Sequence, residues 1–324
     1  MTVARLHGPG DLRLHDEALP VPADGEVLLR VISVGLCGSD RHWFMDGGIG
    51  GTVLDAPLVL GHEFVGVIAA GPDVGRRVVA EPAIPCGACR TCLGGRSELC
   101  PTAGFAGYGG TDGALRTFTT WPAALLQSLP DAIGDDEASL LEPLGIALHA
   151  IHLAGLTAGD SVAVVGAGPI GQLVVRALRA GVDGEVRDIV VLEPLVHRLD
   201  LALAAGARRL QAGEEVDVAI ECAGEDAAID TAIEVVRPGG RVVLVGIPGD
   251  DRTTFTASVA RRKGLTLQLC RRMRPTDLAR ATDLVADGSI QLDGLVSHVV
   301  TLADVVAGFG TLIRREGHKV VVRP

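Results

Sequence analysis

Cys86, Cys89, Cys92 and Cys100 fall within one short, glycine-rich stretch of the chain. Four soft thiolates in that spacing complete a tetrahedral zinc and leave no open position, so the site reads as structural. Four buried thiols without a metal are the weaker reading, because a polar loop offers no core to bury them. A zinc ribbon for nucleic acid is a rival, but the stretch has little basic or aromatic content beyond Arg90 and Arg96. A second set of ligand-type residues is dispersed: Cys37 in Cys-Gly-Ser-Asp, His62 and Glu63 in Gly-His-Glu, and Glu142 in Glu-Pro-Leu. Thiolate, imidazole and carboxylate together suit zinc, and a site assembled from separate segments commonly keeps a place for water or substrate. Spacing alone leaves this set open, since a lone Cys or His is more often structural.

A third motif, Gly166-x-Gly168-x-x-Gly171, follows a strand-like run and opens a helix-like one. Gly166 permits the tight turn, Gly168 lets the backbone approach a pyrophosphate, and Gly171 lets helix and strand pack closely. Pro169 and Ile170 complete the turn, and the helix N-terminus offers unpaired N–H groups to a diphosphate. Alone, such a pattern also fits a plain tight turn. Glu193 adds to it, ending the next strand about 20 residues on, where a carboxylate binds both ribose hydroxyls and repels a 2′-phosphate. The motif therefore predicts a dinucleotide site, with NAD favoured over NADP. Arg198, one turn further, reads equally as an adenine-stacking group or a surface arginine. Beside a dinucleotide, the dispersed set makes chemical sense: an alcohol held by zinc loses its proton more readily, and nicotinamide takes its hydride.

These motifs need elements to hold them. The first 130 residues are cut by Gly and Pro into short runs such as Glu26–Val34, Phe64–Ile68 and Arg77–Ala80, and read as mostly β. A helix is expected from Asp135, its acidic first turn suiting the macrodipole, running on through Leu140 and Leu141. From Ser161 the pattern alternates strand and helix: Ser161–Val165, a helix to about Ala180, Asp188–Leu192, a helix over Pro194–Ala205, then Val216–Glu221, Arg241–Gly246 and Leu265–Leu269. Continuous apolar strands alternating with helices predict a parallel sheet covered on both faces. The tail, a helix over Leu302–Arg315 and a strand over Lys319–Arg323, is too small to fold alone and must rejoin one of the two bodies.

The composition agrees with this reading. The 324 residues include 48% hydrophobic ones, enough for about two domains and against disorder. A net charge of −11 repels phosphate backbones and anionic membranes. No run of apolar residues is long enough to span a bilayer, and the N-terminus lacks an apolar signal core. Seven cysteines, an odd number, argue for thiols and metal in a reducing, cytoplasmic setting rather than disulfides. His149, His152, Cys222 and Cys270 read as packed or surface residues, and the basic clusters Arg261–Lys263 and Arg271–Arg274 as solvated faces or subunit contacts.

In this order the motifs Cys37-Gly38-Ser39-Asp40-Arg41-His42-Trp43-Phe44, Pro57-Leu58-Val59-Leu60-Gly61-His62-Glu63, the four-cysteine stretch, Leu141-Glu142-Pro143-Leu144 and the glycine fingerprint resemble the zinc-dependent medium-chain alcohol dehydrogenases. The resemblance covers nearly the whole chain and is most detailed toward the polyol branch, which includes sorbitol, L-idonate and threonine dehydrogenases. It implies a Rossmann domain, doubly wound around a parallel sheet, over residues 148–289, and a β-rich GroES-like catalytic domain over 1–147 and 290–324. The dinucleotide is then expected in the cleft between the two. The resemblance makes Cys37, His62 and Glu63 catalytic zinc ligands, with Glu142 binding directly or through water. It makes Ser39 and His42 the proton relay and Asp40 a partner of a ligand.

Trp43 and Phe44 are then expected to line the substrate pocket. The chain departs from the branch at Cys270-Arg271-Arg272-Met273-Arg274, where polyol enzymes often carry an Arg-Tyr pair; Arg271 is expected to reach substrate, and sorbitol itself does not follow. The implied activity is NAD-dependent oxidation of a secondary alcohol on a polyol, cyclitol or sugar acid, with two zinc ions per chain in a homotetramer or dimer. Threonine oxidation shares every motif, and a non-catalytic dinucleotide-binding redox sensor is the alternative from another class.

Overall fold

Strand Glu26–Gly35 buries Val27, Leu29 and Val31 on one face and leaves Arg30 exposed, the two-residue period expected of a half-covered strand. It is central to a seven-stranded sheet, with Glu63–Ala70 on one side. Its other side is shared, by Phe118–Pro122 along its first half and by Lys319–Arg323 at its end. The C-terminal strand also pairs in parallel with Val296–Thr301, a strand that the sequence patterning does not show. Beneath this sheet Phe64 meets Trp121 edge-on and Phe44 stacks on Phe309, with ring centroids 5.3 and 4.5 Å apart. Each large side chain fully buried in such a core contributes about 1.5–3 kcal/mol.

The computed structural model describes residues 1–249 and 251–324. Two units divide them: one of Met1–Glu142, Arg274–Gly288 and Leu292–Pro324, the other of Pro143–Met273 and Ser289–Gln291. In the second unit a six-stranded parallel sheet runs Arg208–Arg209, Asp188–Leu192, Ser161–Val165, Val216–Glu221, Val236–Leu244, Thr266–Leu269. Counted along the chain that is the order 3-2-1-4-5-6 of dinucleotide-binding sheets, with its reversal between Ser161–Val165 and Val216–Glu221. Residues 210–215 carry the chain from third to fourth strand without a helix.

Several elements differ from the sequence reading. The helix expected to run from Asp135 through Leu141 is two, Asp135–Ala138 and Leu141–Ala154. Ser139 Oγ donates to the Asp136 carbonyl at 2.6 Å in the intervening turn, and Pro143, which lacks an N–H, suits the first turn of the new helix. Within the β-rich part lies the helix Gly38–Asp46, ended by Gly47 at φ 69°. Its residues show little apolar periodicity, so patterning does not mark it. The tail helix is shorter than expected, Val305–Ile313 after a single 3-10 turn.

Candidate metal centres and dinucleotide turn

Cys37 precedes the helix Gly38–Asp46, and Asp40 in its first turn accepts a hydrogen bond from the Cys37 amide at 2.9 Å. The other Asp40 oxygen accepts from the Gly61 amide at 3.1 Å and faces His62 Nδ1 at 3.4 Å. One buried carboxylate thus ties the thiol-bearing turn to the imidazole-bearing one. Burial would push Asp40 up, but His62 and the two amides outweigh it and lower the carboxyl. Burial likewise pulls His62 down, and Asp40 and Cys37 more than reverse it, so in the metal-free protein the imidazole is raised. Gly61, at φ 92°, has no room for a side chain between Val34 and Leu115.

Glu63 begins the strand beside His62, and both are buried. Ligand atoms of Cys37, His62 and Glu63 lie within 4.8 Å of one another. Glu63 Oε2 is paired with Lys319 Nζ, and Glu63 Oε1 is buried with no hydrogen-bond donor. A buried carboxylate with an oxygen lacking a donor, grouped with a thiol and an imidazole, fits a divalent zinc. The structure does not bring Glu142 into this group, but it is 4% exposed and close enough to feel its charges. Its carboxyl is pushed up to about 7 by burial, with His62 opposing and Glu63 adding.

Ser39 Oγ lies 3.4 Å from His62 Nε2. His42, one turn along the same helix, contacts Asp46 at 3.2 Å through Nδ1, and the Asp46 carboxylate is 56% exposed. Trp43 and Phe44, expected to line a substrate pocket, pack their rings, Trp43 edge-on to Tyr108 at 5.6 Å and Phe44 stacked on Phe309, and Trp43 also lines a small cavity of about 90 Å³ with Leu54 and Leu58. Helical spacing explains this, since Trp43 and Phe44 fall on the faces turned into the core. Sequence reasoning missed three neighbours of the site. Phe105 stands with its ring 5.2 Å from that of His62, and Gly35 and Lys319 flank Glu63. The only signal for Lys319 was a cation opening the strand, directly before three valines.

In the same unit the four cysteines form a second group. Sulfur separations of 3.4, 3.9 and 4.0 Å bracket the edge of about 3.8 Å that a tetrahedron with Zn–S bonds of about 2.3 Å requires. Cys86 and Cys89 amides donate to the sulfurs of Cys100 and Cys86 at 3.4 and 3.3 Å. Cys100 is drawn down to about 6, first by the Cys86 amide, while burial and Cys89 push Cys92 up to about 12. Four sulfurs this close cannot all ionise without a cation between them.

In the second unit the glycines meet their expected demands. Gly166 has φ 90°, and a Cβ there would press on Ala223 at 3.0 Å. Gly168 stays open, with Arg198 Nη1 the one atom near, at 3.6 Å, and a Cβ on Gly171 would overlap the Gly166 carbonyl oxygen. Pro169 and Ile170 open the helix Pro169–Arg179. Glu193 accepts from the Ala167 amide at 2.7 Å and the Leu195 amide at 2.8 Å, fixing its carboxylate beside the turn. An open groove of about 810 Å³ adjoins it, walled by Leu192, Leu199, Leu210 and Val235. Arg271 is exposed just past the last strand.

Known proteins share this arrangement. Residues 23–131 match the alcohol dehydrogenase GroES-like domain, and residues 169–287 match the zinc-binding dehydrogenase domain. Sorbitol dehydrogenase from Homo sapiens is 35% identical over 98% of this chain and 94% of its own. The chain belongs to the zinc-dependent medium-chain dehydrogenases, in their polyol branch. L-idonate 5-dehydrogenase from Escherichia coli superposes on this dehydrogenase with a TM-score of 0.91 at 25% identity, covering 100% of this chain and 98% of the other. A second E. coli chain, described as a short chain alcohol dehydrogenase in complex with NADH, does so at 0.89 and 26%, covering 100% and 99%. The enzyme is an oxidoreductase with a GroES-like domain and a Rossmann domain. Among its described residues no helix is long and apolar enough to cross a membrane.

Proposed function

We propose that this dehydrogenase oxidises a secondary alcohol of a polyol, cyclitol or sugar acid to the ketone, reversibly, with NAD as hydride acceptor. The observation carrying the proposal is the buried Glu63 carboxylate, with an oxygen that has no donor, grouped with Cys37 and His62. Cys37, His62 and Glu63 would hold one zinc, and Cys86, Cys89, Cys92 and Cys100 a second. Zinc in the first site would supply a Lewis acid that makes a substrate hydroxyl more acidic, and NAD would supply the hydride acceptor. Asp40 keeps the Nδ1 edge of His62 occupied, which leaves Nε2 for the metal. Ser39 receives the hydroxyl proton and His42 passes it outward, where exposed Asp46 meets solvent. Glu142 is placed to hold water or to enter as a further ligand.

In the second unit, backbone N–H groups at Gly168–Gly171 would bind the diphosphate, and Glu193 the adenosine ribose, which favours NAD over NADP. The groove beside Glu193 gives room for the adenosine end, with Arg198 at its margin. Residues 1–147 with 290–324 serve as the catalytic domain and 148–289 as the dinucleotide domain; the zinc-binding dehydrogenase match over 169–287 supports the second, while Arg274–Gly288 packs with the first unit. The parallel sheet ends on strand Thr266–Leu269 with Leu269 71% exposed, an edge suited to pairing with a second copy, which supports a dimer or tetramer. None of the seven cysteines is paired in a disulfide, which supports a cytoplasmic setting. The test is NADH formation over a panel of polyols, sugar acids and threonine, with and without a chelator, alongside metal counts and light scattering. Chelator-resistant turnover, or binding of NAD without turnover on any alcohol, sinks the proposal.

A further inference from the structure

Lys319 is 1% exposed, a lysine buried as deeply as the leucines around it. Among the described residues its ion-pair partner is Glu63, also 1% exposed. The contact is built by three adjacent strands. Lys319 opens the C-terminal strand, Glu63 opens the strand on the far side, and Gly35 closes the central strand between them. Gly35 pairs with Glu63 and with Val321. Its φ is not positive, so the glycine is not required by its backbone conformation. It is required by space: a Cβ at Gly35 would overlap Glu63 Oε2 and stand 2.8 Å from Lys319 Cε. The sheet has left a slot for this ion pair. The pair in turn leaves Glu63 Oε1 buried without a donor, in a carboxylate that has an oxygen within 4.8 Å of ligand atoms of Cys37 and His62.

We infer that Lys319 is a positioning residue that shares the Glu63 carboxylate with the metal, holding it through Oε2 while Oε1 faces the zinc. This rests on the zinc reading above and deepens it. An ammonium on the second oxygen draws charge from the first, so Glu63 is held in place but binds zinc less tightly than a free carboxylate would. Lys319 also neutralises Glu63 when zinc is absent, since an unpaired buried carboxylate is costly. Both effects have the same sign. Removing the ammonium destabilises the metal-free protein and removes a repulsion from the metal-loaded one, so zinc is held harder. A lysine that served only packing would act the other way: its loss would loosen the site and release the metal.

The test uses the zinc-loaded full chain and its Lys319→Gln variant, whose amide can still donate to Oε2 but carries no charge. Zinc release to excess chelator should slow by about tenfold or more, the size expected for deleting a cation this near a dication in a partly screened site. The metal-free variant should melt below metal-free wild type, and added zinc should raise its Tm by more. Lys319→Met is the second variant and reads the same way. Gly35→Ala, which displaces Glu63 itself and leaves the charge, should release zinc faster than wild type. Release from Lys319→Gln at the wild-type rate or faster overturns the role of the lysine. So does failure of both Lys319 variants to fold with zinc present, because zinc should replace the lost charge. A Cys37→Ala protein carrying as much zinc as wild type would instead defeat the underlying zinc reading.

Discussion

The two cysteine-bearing centres reach similar ligand distances by opposite routes. At Cys86–Cys100 the ligands are close in sequence, and what ties them together is local: amide donors of the same loop on the sulfurs of Cys86 and Cys100. Of the four, only Cys100 is buried. At Cys37, His62 and Glu63 the ligands sit on ends of a helix and a strand, fixed by Asp40, Gly61 and Lys319 and backed by the core. In the first centre the metal should make the structure; in the second the structure is made and the metal adds chemistry. That contrast can be broken by experiment.

The largest expected effect is on turnover. His62→Ala should fold, bind NAD and lose one zinc, with activity down at least about a thousandfold, since several kcal/mol of charge stabilisation vanish. Metal content, circular dichroism and a dinucleotide titration check it, and a melted His62→Ala protein would erase the contrast. Cys89→Ser should do the reverse. It should lower Tm by about 4–8 °C, the equivalent of about 2 kcal/mol for units of this size, while the folded fraction keeps its turnover per remaining zinc. Equal Tm with turnover lost would show that the lobe serves chemistry directly.

The dinucleotide turn stands between these cases, being local in sequence yet built into the sheet. Glu193→Ala removes the carboxylate proposed to bind the ribose, with its two backbone hydrogen bonds. NAD binding should weaken by about tenfold and the preference over NADP should shrink, measured by paired titrations. Unchanged affinity for both dinucleotides would take Glu193 out of the site.

The smallest effect concerns pH. Burial raises Glu142 to about 7, so in metal-free protein the folded state binds a proton more tightly than the unfolded one. Stability from this group is then present below the unfolded value of about 4.3 and is lost as pH rises toward 7. Metal-free Glu142→Gln should show a flatter decline than wild type between about pH 5 and 7 in denaturant titrations. Parallel curves would place the proton elsewhere.

Much of this protein is determined by its sequence alone, wherever neighbours in space are neighbours in the chain. The four-cysteine spacing, the glycine fingerprint and the runs Ser161–Val165, Asp188–Leu192 and Val216–Glu221 are legible because a loop, a tight turn and a buried strand are local objects. Elsewhere local signals were too weak: Arg208–Arg209 is a two-residue strand of two cations, visible as a strand only once Val190 and Val191 lie beside it. The break after Ala138 depends on one hydroxyl turning back to Asp136. Trp43 and Phe44 stand next to catalytic-type residues in the chain, but the helix turns them toward Tyr108 and Phe309. Lys319 and Glu63 lie far apart in the chain, and no pattern in either segment refers to the other. Only the strand order, which sets both beside Gly35, makes them partners, because an ion pair in a dry core forms where the sheet leaves room for it.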